Sequence, residues 1–234
     1  ANGLAYVAVK NLHLLGPAKG TGIAINLNAG SSMSKVEDVY IQNVLTGVYT
    51  NQDSSTLRDI VVDRATTGIL LGSNSNAINI FNPQVYNSDY GIRAFPTATA
   101  RGIFIWGGLM QGNAIAGIKS SANTWSTVVT GTYFENNLLD VEGDGEHLVL
   151  DKTTHADPLE GSTQQIVYSN AKATTIRDCN FYDNGSITTI SLDSAAVEAQ
   201  LLNNHFESRI AENMKYSLGP ARANVVERGV HRPK

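Results

Sequence analysis

Cysteine, proline and charged residues are all scarce in this sequence of 234 residues. Its one cysteine, Cys179, excludes an internal disulfide framework. Charged residues make up 16% of the chain and the formal net charge is −4, a balance that argues against a general nucleic-acid binder. No apolar run has the length that crosses a bilayer, so we expect no membrane insertion.

The chain begins with Ala1 rather than with an initiator Met, and no charged and apolar leader follows. We interpret this start as that of a piece of a longer protein. The sequence is rich in short bursts of β-branched residues divided by Asn, Gly, Ser and Thr, which are typical of many short strands joined by tight turns. Nothing in the composition marks a boundary between two domains.

An imperfect repeat runs through the sequence, and the stretch from Ile103 to Lys119 shows it most fully. It reads apolar, any, apolar, any, any, small, any, apolar, and it returns at steps of mostly about 18 to 26 residues, as stacked solenoid units do. The alternation with period two predicts strands rather than helices. The second apolar member falls at Val9, Ile41, Val62, Ile80, Ile105, Val129, Leu150, Ile176 and Leu201.

Two further columns accompany this repeat. In one, a glycine precedes an Ile or Val that opens another short strand; it comprises Gly22, Gly47, Gly68, Gly91 and Gly117, with Asp140 in the next place. In the other, residues that tolerate a left-handed backbone predict a sharp bend; it comprises Asn11, Asn43, Arg64, Asn82, Gly107, Gly131, Lys152, Asp178 and Asn203. Together they predict about three short strands in each unit.

These repeats and bends resemble those of the right-handed parallel β-helices of the pectate-lyase-like superfamily, over about residues 5–206. The resemblance implies an all-β solenoid of about eight to nine coils with three parallel sheets, in a domain spanning residues 1–206. We expect residues 207–234 to be a non-repeating tail that caps the solenoid, contacts a subunit or acts as a linker. The polar, Pro-containing stretch 152–163 is interpreted as a loop outside the solenoid wall.

A charged row on an outward sheet face is the first candidate site. The side chains after the glycine-Ile pairs place Arg93, Lys119 and Glu142 on successive turns, about 4.8 Å apart. Tyr49 in the same column and Phe95 beside it are expected to bind carbohydrate. The resemblance implies that this sheet carries the cleft. There Arg93 and Lys119 can neutralise a uronate carboxylate while Glu142 acts as acid or base. The alternative is a row of cross-strand pairs that keeps the sheet soluble.

An aromatic strip is the second candidate site. We expect Phe81 and Trp106 to be adjacent, with Asp63 in their column and Tyr40 in a neighbouring one. Sugar rings stack on aromatic faces and donate hydroxyls to carboxylates, so this strip is interpreted as carbohydrate-binding. A subunit interface explains it equally well, because exposed apolar patches mark association.

The sequence shows no sign of a metal or cofactor site. The histidines lack ligand spacing, so we expect no zinc, and no phosphate-binding loop or nucleophile elbow is present. Asp38 and Asp59 are expected to stack in adjacent coils, where they share a proton, hold a cation or are solvated. Cys179 is interpreted as a core residue.

The family named above includes plant-polysaccharide lyases and hydrolases, epimerases and phage tailspikes. The Gly-His-Gly and Arg-Ile-Lys of polygalacturonases and the Trp-Ile-Asp-His of pectate lyases are absent from this sequence. We therefore expect a tailspike-like or depolymerase-like protein, homotrimeric and extracellular or virion-associated, that binds and cleaves a bacterial surface polysaccharide. A free-standing secreted lyase or hydrolase, and a non-catalytic adhesive solenoid, are the alternatives.

Overall fold

The structure is a computed structural model that describes residues 6–28, 33–97, 99–168, 173–182, 187–192, 198–207, 210, 212–218 and 225–228. Its elements, in chain order, are β1 (Ala8–Leu15), β2 (Ile23–Leu27), β3 (Lys35–Thr50), β4 (Thr56–Leu71), β5 (Asn76–Phe81), β6 (Gln84–Tyr86), β7 (Tyr90–Ala94), β8 (Arg101–Trp106), β9 (Leu109–Gln111), β10 (Ala116–Lys119), β11 (Ser126–Thr130), β12 (Tyr133–Glu135), β13 (Val141–Gly143), β14 (His147–Asp151), β15 (Thr154–Ala156), β16 (Gln164–Tyr168), β17 (Ala173–Arg177), β18 (Asn180–Phe181), β19 (Thr188–Leu192), β20 (Glu198–Leu202), β21 (His205–Phe206), α1 (Glu212–Lys215), β22 (Tyr216–Leu218) and β23 (Val225–Arg228).

These strands form a parallel β-solenoid of about eight turns, which confirms the predicted fold class. Every strand pair is parallel and joins one turn to the next, and the pairs form three sheets. The first sheet holds residues 8–10, 35–37 and 56–58 with β5, β8, β11, β14, β17, β20 and β23. The second holds residues 12–15, 39–44 and 60–65 with β6, β9, β12, β15, β18 and β21. The third holds β2, residues 46–50 and 67–71, β7, β10, β13, β16, β19 and β22.

The core lies inside the tube and is built by the alternating apolar residues of the repeat. Ile103, Ile105 and Met110 of the repeat's fullest copy are all buried, as the alternation predicts. The residues between them point outward because successive side chains of a strand lie on opposite faces. Function must therefore depend on the outward columns and on the corners between sheets.

The second sheet is flanked by two columns of left-handed bends, where the sequence predicted one. The bend between the first and second sheets comprises Asn11, Asp38, Asp59, Asn82, Gly107, Gly131, Lys152, Asp178 and Asn203, all with positive φ. The bend between the second and third sheets comprises Asn43, Arg64, Asn87, Gly112, Asn136 and Asp157. All nine residues of the predicted column are left-handed, but Asn43 and Arg64 belong to the second column.

The glycine column marks the entrance to the third sheet, where successive turns approach too closely for a side chain. A Cβ atom built on Gly68 would lie 2.6 Å from the carbonyl oxygen of Gly91, and one on Gly117 would lie 2.8 Å from that of Asp140. Asp140 occupies the next place, as predicted, and its side chain is buried in the core. Gly22 lies outside this register because Ile25, and not Ile23, pairs with Val48.

The loop predicted for residues 152–163 is wrong in its first half. Residues 154–156 form β15 in the second sheet, and residues 152–153 and 157–163 of the predicted loop lie outside strands. His155 is fully buried, with its ring stacked between those of Phe134 and Phe181 at centroid distances of 4.8 Å on each side. Its Nδ1 lies 3.0 Å from Asp140 Oδ2, and its Nε2 lies 2.8 Å from Thr153 Oγ1. A histidine with two polar partners thus occupies a core position that sequence polarity assigned to the surface.

Solenoid pairing continues beyond residue 206, the end of the predicted domain. The strand β22 pairs with β19, and β23 pairs with β20, so both extend the parallel sheets into the segment expected to be non-repeating. The tail residues Arg209, Arg222, Arg232 and Lys234 lie outside the described residues. Within the described part of the chain, no helix has the length and apolarity required to span a membrane.

Candidate functional site

The charged row lies on the outer face of the third sheet, in the register that the repeat predicts. Lys119 of β10 pairs with Arg93 of β7 on one side and with Glu142 of β13 on the other. Lys119 Nζ donates a hydrogen bond to Glu142 Oε1 at 2.6 Å, and both side chains are partly exposed. The sequence therefore brings two cations and one carboxylate onto three successive turns.

The hydrogen-bonding groups of Arg93 are less completely paired than those of Lys119 and Glu142. Its guanidinium lies over the ring of Tyr90, 4.4 Å from the centroid, and Lys119 Nζ lies 5.9 Å from the same centroid. Its Nε atom is buried and has no hydrogen-bond partner in the structure. A buried donor without an acceptor carries a desolvation cost. Because Nε has no exposed surface, contact with a ligand falls to the other N–H groups of the Arg93 guanidinium, which lines a pocket.

A small open pocket adjoins this row. It has a volume of about 120 Å³ and is lined by Arg93, Ala94, Pro96, Lys119, Ser120, Ser121, Ala122 and Asp144. The repeat does not predict Asp144 and Ser121 as site residues. They follow the strands β13 and β10 at a corner, where the period-two alternation ends. The signal available in the sequence was their position, two residues after Glu142 and Lys119 respectively.

This pocket can receive one acidic group. A carboxylate placed there meets the guanidinium of Arg93 and the ammonium of Lys119, both of opposite charge to it. Glu142 is paired with Lys119, so a ligand carboxylate that competes for that ammonium makes Glu142 available as a base. Asp144 repels a second anion at the other wall.

Tyr49 and Phe95 lie near the row but are not part of the pocket lining. Tyr49 is in the column of the row, with Leu70 between it and Arg93. Phe95 directly follows β7 and is 47% exposed. Both are therefore placed to contact a ligand that extends from the pocket along the solenoid.

The aromatic strip is partly as predicted. Phe81 of β5 and Trp106 of β8 are adjacent on the first sheet, with ring centroids 6.4 Å apart and planes 13° from parallel. The guanidinium of Arg58 lies over Phe81 at 4.5 Å. Trp106 is 41% exposed, and the next outward column adds Phe104 and Val128. Phe104 thus lies in the column next to Phe81 and Trp106, as the sequence predicts.

Asp63 and Tyr40 do not belong to this strip. Phe81 pairs with Arg58, whereas Asp63 pairs with Tyr86 on the second sheet. Tyr40 pairs with Val61, also on the second sheet. The prediction that they lie beside Phe81 is wrong. The two bend columns carry similar residues, so the repeat pattern aligned the second bend of turns two and three, at Asn43 and Arg64, with the first bend of the other turns.

Asp63 is engaged by its own neighbours. Its carboxylate accepts hydrogen bonds from Gln42 Nε2 at 2.7 Å, from Asn87 Nδ2 at 2.9 Å and from Arg64 Nε at 3.1 Å. Burial alone raises the pKa of Asp63, but these hydrogen bonds and the Arg64 charge outweigh it, so the pKa is lowered. The group is an ionised, structurally occupied carboxylate and is a poor proton donor.

Asp38 and Asp59 are bend residues on adjacent turns. Both adopt positive φ, and Asp59 Oδ1 accepts a hydrogen bond of 2.8 Å from Asn82 Nδ2, the bend residue of the next turn. In the ranges that the structure describes, no three His, Cys, Asp or Glu side chains converge to hold a metal. Cys179 is buried, and burial raises the pKa of its thiol, as suits a core residue.

Comparison of the chain with protein-family models, with curated proteins and with solved structures gave no match.

Proposed function

We propose that the chain is a glycan-recognising β-solenoid of the tailspike type that binds an acidic polysaccharide of a bacterial surface through the pocket at Arg93. The observation that carries the proposal is the pocket whose wall holds both the guanidinium of Arg93 and the ammonium of Lys119 on adjacent turns. A uronate carboxylate pairs with these cations, and Tyr49 and Phe95 flank the path of the neighbouring sugars. The fold alone does not define a reaction, so the proposal rests on the site.

The same arrangement supports depolymerisation of the bound glycan. Arg93 and Lys119 stabilise the charge that develops on a uronate when its α-proton is removed. Glu142, released from Lys119 by the ligand, accepts that proton, and expulsion of the leaving sugar completes an elimination. Hydrolysis instead needs a water molecule that attacks the anomeric carbon while Glu142 accepts its proton as general base, and the leaving sugar oxygen takes up a proton from the solvent as the glycosidic bond breaks.

A non-catalytic adhesive solenoid is the second candidate. The observation that favours it is the short ion pair of Lys119 with Glu142, which engages the only carboxylate in the charged row. In this case the row recognises the glycan and performs no chemistry.

One experiment separates these functions. The protein is mixed with a panel of uronate-containing and neutral polysaccharides, and the absorbance of unsaturated products is followed together with reducing ends. An increase in both identifies a lyase, reducing ends alone identify a hydrolase, and binding without either product identifies an adhesive protein. Absence of binding across the uronate-containing panel contradicts the proposal.

Two variants locate the site in that assay. Arg93→Ala removes the unpartnered donor and is expected to abolish binding of acidic glycans, and Glu142→Ala is expected to abolish cleavage while leaving binding. Arg177→Ala is the matched control, because its guanidinium is paired with Asp151 on the first sheet at 3.1 Å, away from the row. Equal loss in the control contradicts the assignment.

The proposed assembly is a homotrimer, outside the cell or on a virion. The support for association is the exposed apolar strip at Phe81 and Trp106. Asp63 lies on the second sheet and not beside this strip, so it cannot accept hydrogen bonds from sugar hydroxyls there. Without that carboxylate the strip fits a subunit contact better than a sugar platform.

A further inference from the structure

A second open cleft lies at the corner where the third sheet returns to the first, in turns two to four. Its volume is about 410 Å³, within the range of small-molecule sites. The lining is polar throughout and comprises Asp53, Ser73, Asn74, Asn76, Thr99 and Arg101. None of these residues belongs to the charged row or to the aromatic strip.

Three of the lining residues form one column along the solenoid. Asp53 pairs with Asn76, and Asn76 pairs with Arg101, each in the next turn. A carboxylate, an amide and a guanidinium therefore follow one another at the spacing of the turns, about 4.8 Å. The residue after each of them, Ser54, Ala77 and Gly102, has a positive φ of 55°, 51° and 69°.

The polar groups of this column are available to a ligand. Among the described residues, no side chain bonds to the Asp53 carboxylate or to the Asn76 amide. Thr99, by contrast, donates its hydroxyl to the Ser73 carbonyl at 2.9 Å and so braces the wall. The guanidinium of Arg101 lies over the ring of Trp125 at 4.4 Å, which holds its plane. In the part of the chain that the structure describes, no carboxylate pairs with its N–H edge.

The charge pattern selects the class of ligand. A wholly anionic molecule is repelled by the carboxylate of Asp53, and a wholly cationic one is repelled by the guanidinium of Arg101. Neither can therefore bind along the whole length of the column. A sugar residue fits it, because hydroxyls donate to Asp53, exchange hydrogen bonds with Asn76 and accept from Arg101. A uronate fits best, with its carboxylate against the guanidinium of Arg101.

We propose that this corner cleft is a second saccharide subsite. The connector from β7 to β8 joins it to the Arg93 pocket, since Ala94 and Pro96 line the pocket while Thr99 and Arg101 line the cleft. One glycan chain crossing this connector occupies both. This extended site rests on the proposed function, whereas binding of a single sugar in the cleft is testable without it.

Trp125 provides a reporter for the cleft. The chain has two tryptophans, so Trp106→Phe leaves Trp125 as the only one. In that background, glucuronate, galacturonate, glucose and galactose are titrated separately while Trp125 emission is followed. We expect a saturable change with at least one uronate, and a weaker response with the neutral sugars.

Asp53→Ala and Asn76→Ala test the column without touching Trp125. Each removes one hydrogen-bonding group and is expected to weaken the apparent affinity about tenfold. Arg177→Ala is the matched control and is expected to leave the response unchanged. The proposal is overturned if no sugar of the four gives a saturable change, or if the two variants respond as the control does.

Arg93→Ala distinguishes failure of this proposal from failure of the proposed function. If the cleft is a subsite, the monosaccharide response persists in this variant, even when polysaccharide binding is lost. If polysaccharide binding depends on Arg93 but Trp125 gives no response, the pocket stands and the cleft assignment falls.

Discussion

At the scale of single residues, close approach between turns decides which side chains are allowed. Gly91 illustrates this at the entrance to the third sheet. A Cβ atom there would lie 2.3 Å from the carbonyl oxygen of Gly117 and 2.7 Å from Met110 Sδ. The backbone oxygen cannot move without disturbing the next turn, so the position admits no side chain.

The first prediction concerns this column. Gly91→Ala is expected to destabilise the protein by about 1–3 kcal/mol through overpacking, measured as a lower midpoint of urea unfolding. Gly107→Asn is the matched control, because a Cβ atom there meets nothing within 4 Å and its φ of +65° suits Asn. Similar losses in the two variants contradict the steric explanation.

Tyr168 carries a prediction about pH. It ends β16 and is fully buried, and burial raises the pKa of its phenol to about 12 from the ordinary value of 10. Between these values the folded state binds more protons than the unfolded state, so the free energy of unfolding falls as pH rises from about 10 to about 12. Below pH 10 the contribution is complete.

Tyr168→Phe removes this titration. We expect the wild type to lose about 2–3 kcal/mol more than the variant over that pH interval. Urea unfolding of both proteins at about pH 9 and about pH 12 measures the difference. Parallel curves at the two pH values contradict the assignment to Tyr168.

At the scale of elements, stacked side chains inside the tube link one turn to the next. The rings of Phe134, His155, Phe181 and Phe206 stack at centroid distances of 4.8, 4.8 and 4.9 Å. His155 interrupts this phenylalanine stack just as Asp140 interrupts the glycine column, and the two interruptions bond to each other. Each polar residue is tolerated because the other is present.

The paired interruptions predict a double-variant effect. His155→Phe continues the ring stack but removes the partner of Asp140 Oδ2, so we expect a loss of about 3 kcal/mol. Combining it with Asp140→Gly continues both columns and is expected to restore most of that stability. Urea unfolding of the two single variants and the double variant measures the coupling; additive losses contradict it.

The sequence predicts the repeat well because the alternation of apolar and polar residues identifies the strands. The positions of Arg93, Lys119 and Glu142 on one outer face follow from that alternation. Strand β15 was missed because His155 and its neighbours are polar, and polarity indicates a loop unless the buried partners are known. Asp63 was misplaced because Asn43 and Asn82 satisfy the same bend requirement on different corners. The corner cleft at Asp53 and Arg101 was missed because corners have no period.

At the scale of the whole molecule, the solenoid presents three outer faces with different chemistry. The third sheet carries the charged row of Arg93, Lys119 and Glu142. The first sheet carries the strip of Phe81 and Trp106. Because these faces are separate, the proposed glycan recognition and the proposed association do not compete for the same surface.

This separation predicts that association can be removed without loss of binding. Trp106→Glu places a charge in the apolar strip and is expected to convert the proposed trimer to a monomer, measured by light scattering, while acidic glycans still bind. Tyr133→Glu is the matched control, since Tyr133 is 38% exposed and lies on the second sheet. Loss of glycan binding in an unchanged oligomer assigns the strip to sugar instead, and a monomeric wild type refutes the trimer.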